Sequence, residues 1–172
     1  MAEGIIISVK VTPIIREFII CTNGSDLVIC KDNSFIGEKI KYLLKLPPKN
    51  YKPDRVLSNK IRFQLQNIRI MSKRIFTEYR NYLDTSGNRI IFNELNSAFK
   101  AIFHNYVAGY IIPKEICLGS QKEAIMDFCD MYKLTCDNIN YEMLKKSWDR
   151  SEERIKAKRH ILHKQFIKNR SK

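Results

Sequence analysis

Apolar and polar residues alternate at two places in this chain, and after each the spacing of apolar residues changes to that of a helix. A period of two puts successive side chains on opposite faces of a strand, whereas apolar residues three and four apart form one stripe on a helix. From Ile7 to Val11 the alternation leaves Ser8, Lys10 and Thr12 on a wet face. From Ile61 to Gln66 it sets Ile61, Phe63 and Leu65 against Arg62, Gln64 and Gln66. The expected fold is therefore α+β, and mainly helical.

Local signals fill in the rest. Thr12-Pro13 reads as a cap followed by proline at the first helical position, Ile14, Ile15, Phe18 and Ile19 form the stripe, and Asn23-Gly24 ends the helix. Leu27 to Cys30 reads as a short strand. Ser34 caps a second helix carrying Phe35, Ile40, Leu43 and Leu44, which Pro47-Pro48 stops. Residues 47–60 are basic and punctuated by proline, so they read as a linker between an N-terminal unit, 1–46, and a helical body, 61–148. In that body Asn67 caps a helix with Ile68, Met71, Ile75, Tyr79 and Tyr82 on one face. Thr85 to Asn88 reads as a turn, and a helix from Phe92 to Tyr110 turns Leu95, Phe99, Ile102, Phe103 and Tyr106 inward. The order strand, helix, helix thus occurs twice.

Ser120 and Glu123 then stand at capping-box spacing ahead of Ala124, Ile125, Phe128 and Tyr132, and Asp137 or Asn138 caps the last helix. These two helices read as a hairpin packed by Ile125, Phe128, Leu144 and Trp148. Tyr141, Trp148, Ile155 and Leu162 recur every seven residues, so the last helix is expected to run on into a long basic C-terminal arm, 149–172.

Charge is distributed unevenly. Residues 34–80 hold 12 Lys/Arg against 3 Asp/Glu, residues 149–172 hold 9 against 3, and everything else holds 10 against 12. The two blocks carry +9 and +6 and the remainder −2, which returns the formal net charge of +13. Concentrated positive charge attracts polyanions by counterion release and long-range steering, and nucleic acid is the commonest such partner. Lys49, Lys52 and Arg55 in the linker, Arg69, Lys73 and Arg74 on the helix after it, and Arg154, Lys158 and Arg159 in the arm are the expected phosphate contacts.

Arg62, Gln64 and Gln66 are a different kind of candidate, because Arg and Gln make bidentate contacts to guanine and adenine edges in a major groove. A strand with this polar face followed by two helices resembles the ribbon-helix-helix DNA-binding units from Ile61 to Tyr110, and Ile5 to Leu46 echoes it with Ser8, Lys10 and Thr12 outward. The resemblance implies paired strands from two protomers in the major groove, hence a homodimer. The long loop from Cys21 to Asn33, the long helices from Ile68 and Phe92, and two units in one chain depart from that family.

Other chemistry is not indicated. The five cysteines, Cys21, Cys30, Cys117, Cys129 and Cys136, include no C-x-x-C pair, which fits a reduced, cytoplasmic protein and no zinc knuckle. Ile5 to Ile20 is interrupted by Lys10, Arg16 and Glu17 and does not read as a signal or membrane segment. His160 and His163 could offer a metal only two ligands, and His104 reads as a core or boundary histidine. No cofactor, metal or enzymatic activity is expected. The function expected is non-enzymatic nucleic-acid binding, with DNA the first choice, in an accessory or regulatory role of the kind found in small phage and mobile-element proteins. The alternative is a structural or assembly protein whose basic arm docks on an acidic protein partner or on packaged nucleic acid.

Overall fold

The structure, a computed structural model, describes residues 5–31, 34–49, 59–65, 82–111, 120–156 and 159. It is a mainly helical α+β fold whose internal contacts divide the chain into two compact units, Met1–Asn96 and Ser97–Lys172.

The first unit contains β1 (Ile5–Lys10), α1 (Pro13–Asn23), β2 (Leu27–Cys30), α2 (Phe35–Leu43), β3 (Lys60–Leu65) and the beginning of α3 (Thr85–Ile111). The strands form one sheet in the order β1-β3-β2. β3 is antiparallel to β1, with Phe63 opposite Ile7 and Ile61 opposite Val9, and parallel to β2, with Phe63 beside Val28. The strand that follows residues 47–60 is thus hydrogen-bonded to both strands that precede them. The first expected strand-helix-helix unit proves to be strand, helix, strand, helix, and it flanks β3 on both sides. α1 and α2 contact β3, and Ile7, Val9, Ile61, Phe63, Leu65 and Cys30 are buried beneath Ile14, Ile15, Phe18, Ile19 and Ile40.

Local chemistry explains the helix limits. α1 starts at Pro13 and ends where Gly24 turns left-handed (φ +72°), a conformation glycine adopts without a Cβ clash. Ser34 Oγ accepts the Gly37 N–H at 3.1 Å to cap α2. The backbone pair between Lys45 and Tyr82 then holds the exit of α2 beside the approach to α3.

α3 begins seven residues earlier than Phe92. Thr85 to Asn88, expected as a turn, is its first helical turn, because Asp84 Oδ1 accepts the Gly87 N–H at 2.7 Å and the Ser86 hydroxyl at 2.9 Å. Turn-forming and helix-capping residues are the same types, so this ambiguity is intrinsic. A Cβ at Gly87 would stand 2.7 Å from Leu83 Cδ1, so a larger residue there would have to displace that side chain. The helix expected after Asn67 falls on residues outside those described, Tyr82 excepted.

The second unit is built on α3 from Ser97 onward, α4 (Gln121–Met131) and α5 (Asn138–Asp149). Phe99, Phe103 and Val107, four residues apart on α3, are buried together with Ile125, Phe128, Leu144 and Trp148 of the expected hairpin. Phe128 meets Phe103 edge-on at 5.1 Å between centroids. Ile102, expected inward, is 42% exposed, because the stripe through 99, 103 and 107 leaves it on the flank. Ser120 and Glu123 form the capping box, and Asp137 Oδ1 accepts the Asn140 N–H at 2.7 Å.

The last helix does not run on unbroken. α5 ends at Asp149, and Ser151 intervenes, donating its hydroxyl to the Trp148 carbonyl at 2.8 Å while accepting the Arg154 N–H at 3.2 Å. A new helical segment at residues 152–156 starts from that cap. The seven-residue recurrence therefore changes meaning across the break: Trp148 is buried and Ile155 exposed.

Phe128→Ala should destabilise the second unit by about 3–5 kcal/mol, the range for emptying a packed aromatic site. Urea unfolding followed through the fluorescence of Trp148, the single tryptophan, measures it. A loss well under that range would mean that these rings do not form the core.

Candidate nucleic-acid interface

The face of the sheet turned away from α1 and α2 is laid out by the register. Its rows are Lys10 opposite Lys60, then Ser8, Arg62 and Leu27, then Ile6, Gln64 and Ile29. Lys10 and Arg62 are exposed, and so are Ile6 (51%) and Ile29 (55%), which shows that this face is open. Arg62 and Gln64 do point outward, as their period requires, but from the central strand and not from a sheet edge.

Two observations qualify them as base readers. Arg62 Nη2 donates to Asp26 Oδ1 at 2.7 Å, while the Arg62 N–H donates to the Asp26 carbonyl at 2.9 Å, so the guanidinium already holds a carboxylate. That hydrogen bond, chiefly, keeps the Asp26 carboxyl below its ordinary range. Gln64 is half-buried between two isoleucines. The ribbon-helix-helix arrangement also fails for this strand: β3 spends its hydrogen bonds on β1 and β2, leaving no side on which a second protomer's strand could pair.

Several cations of the basic block 34–80 also have acidic partners. Lys39 pairs with Glu94, Lys41 with Glu38 at 3.2 Å, and Lys45 with Asp84. The Lys45 ammonium first, then the Gly87 N–H and the Ser86 hydroxyl, bring the Asp84 carboxyl down to about 2. In the arm, Arg154 Nη1 bonds Asp149 Oδ1 at 2.9 Å and the Asp149 carbonyl at 3.2 Å. Lys49 and Arg159 are exposed. Gln66, Lys52, Arg55, Arg69, Lys73, Arg74 and Lys158 lie outside the described residues.

One constellation has no sequence signal. His104 Nε2 lies 3.0 Å from Ser147 Oγ and His104 Nδ1 lies 3.7 Å from Glu153 Oε2, with the ring edge-on to Trp148. A base between a hydroxyl and a carboxylate is the order used in acyl transfer. Ser147, however, sits within α5, where backbone N–H groups are committed to the helix ladder and cannot receive an oxyanion beside the hydroxyl. The trio instead ties α3, α5 and the segment at 152–156 together. Ser147 and Glu153 lie far from His104 in the chain, so spacing could not have revealed it. Among the described residues no group of three or more His, Cys, Asp or Glu could hold a metal, and no helix is long and apolar enough to cross a membrane. Among the described residues, Cys21, Cys30, Cys129 and Cys136 form no disulfide.

No protein-family model matches the chain, and no curated protein or solved structure is detectably similar to it.

Burial holds the His104 imidazole below its ordinary value of 6.5, more strongly than Glu153 raises it. The unfolded chain therefore takes up this proton first, and stability is lost as pH falls through 6.5 toward the lower folded value. Urea midpoints read through Trp148 should drop more between neutral pH and about pH 5 for the wild type than for His104→Gln. Equal pH responses would show that the buried imidazole does not set this dependence.

Proposed function

We propose that this chain binds nucleic acid without catalysing a reaction, holding it mainly through phosphates, with DNA as the first candidate. The observation that carries this reading is where positive charge lacks an acidic neighbour in sequence. Residues 157–172 contain Lys158, Arg159, Lys164, Lys168, Arg170 and Lys172 and no Asp or Glu. This contrasts with Lys39, Lys41, Lys45, Arg62 and Arg154, each of which has a carboxylate partner. A cation already paired must give up that pair to reach a phosphate, and a run with no acid among its own residues has no such pair within itself to give up.

Phosphate contact positions a protein on nucleic acid, and base contact specifies sequence. With Arg62 held by Asp26 and Gln64 between isoleucines, the reading favours positioning over base recognition. An accessory or regulatory role in the cytoplasm belongs to the same proposal. Docking of the basic run on an acidic protein is the rival, and the same experiment separates the two.

Titrations against duplex DNA, single-stranded DNA and RNA across a range of salt should give log affinity falling with log salt by about 0.9 per duplex phosphate neutralised. Removing residues 157–172 should flatten that slope while leaving the Trp148 unfolding transition in place. Arg62→Ala should change the slope little. Absence of binding to all three near physiological salt would replace this reading with the acidic-protein one.

A further inference from the structure

The first unit contains a groove of about 330 Å3 lined by Lys10, Val11, Thr12, Asn88, Arg89 and Phe92. It lies where the end of β1 and the cap of α1 meet the opening turns of α3. Its lining is mostly apolar carbon, yet two cations border it: Lys10 and Arg89 are exposed, and neither has an acidic partner among the described residues.

Two further polar groups are unspent. Thr12 Oγ1 is buried without a hydrogen-bond partner, which is costly unless something supplies one. Asn88 commits its amide N–H groups to the Leu83 and Asp84 carbonyls, at 2.8 and 3.1 Å, leaving its Oδ1 as an acceptor. Phe92 is half-buried, and its ring stacks on no other aromatic ring among the described residues. An apolar cleft at the small end of ligand-binding sizes, with one uncovered ring and cations at the rim, has the composition of a single-strand nucleic-acid subsite.

Resting on the nucleic-acid reading above, we propose that this groove takes one unstacked base of a single strand, with Phe92 as the stacking platform and Lys10 and Arg89 on the adjoining phosphates. The base must be out of its helix, because a ring can stack only on an exposed base face. The chain-wide charge of +13 favours a polyanion over a small isolated anion as the occupant.

The test uses the full chain and fluorescence anisotropy on an oligothymidine single strand and a duplex of equal length. Phe92→Leu should weaken single-strand binding about tenfold, as expected for losing one stacked base, and leave duplex binding unchanged. Lys10→Ala and Arg89→Ala should each reduce the single-strand salt slope by about 0.7. Both are surface changes, so they decide the matter should Phe92→Leu fail to fold. If the wild type binds single strands and these variants match it, the groove is overturned and the broader reading stands. An equal loss on duplex by Phe92→Leu overturns it as well. A wild type that binds neither form overturns both.

Discussion

Among the described strands β3 is the last in sequence and the middle one in space, and much of the first unit follows from that placement. Its two ladders close contacts across long stretches of chain, to Ile5–Lys10 on one side and Leu27–Cys30 on the other. Closing such loops costs entropy that short-range structure does not repay. The compensation comes from Ile61, Phe63 and Leu65, which are essentially excluded from water beneath α1 and α2. Once those three face inward, the period of two dictates that Lys60, Arg62 and Gln64 line the open face. The sheet's exterior chemistry is thus a by-product of its interior, and Asp26, at the entrance to β2, is placed by the same ladder to receive Arg62.

This also explains what could be read from sequence. Periodicity is a property of one segment, so the existence of β1, α1, β2 and α2 and the facing of β3 were legible, although β1 runs Ile5–Lys10 and not Ile7 to Val11, and Phe35, placed on the α2 stripe, is exposed. The capping box at Ser120 was legible, as was the cap at Asp137, one of two residues expected there. Pairing is a property of two segments. Nothing in Arg62-Phe63-Gln64 says that both neighbours lie earlier in the chain, which is why a ribbon shared between protomers was a coherent expectation and β3's own partners ruled it out. The misread turn at Thr85 to Asn88 has a different cause: its residues suit a turn and a first helical turn equally, and Asp84 decided between them. Ser151 is similar, since one hydroxyl bonding forward and backward ended a helix whose apolar recurrence gave no sign of stopping.

Charge was legible as a total but not as an interface. Lys39 finds Glu94, Lys45 finds Asp84 and Arg62 finds Asp26, all partners remote in sequence. Folding leaves the net charge unchanged while converting these cations into paired ones. The two quantities act at different ranges. Net charge steers a polyanion from about a Debye length away, roughly 8–10 Å at ordinary salt, whereas contact requires donors that are not already engaged.

Among the described residues Lys10 and Arg89 have no acidic partner, and neither belongs to the charge blocks that stood out in sequence. In the proposed mode the run at 157–172 contributes affinity without orientation, because repeated phosphates offer it many equivalent registers. A groove with one ring and two fixed cations contributes the reverse: few contacts, each at a defined place. Steering by the run raises the local concentration of strand, so the groove can act on an intrinsically weak single-base contact. The division predicts that the two elements are separable in salt: the run's contribution should fade as salt rises, while stacking on Phe92, being largely uncharged, should persist.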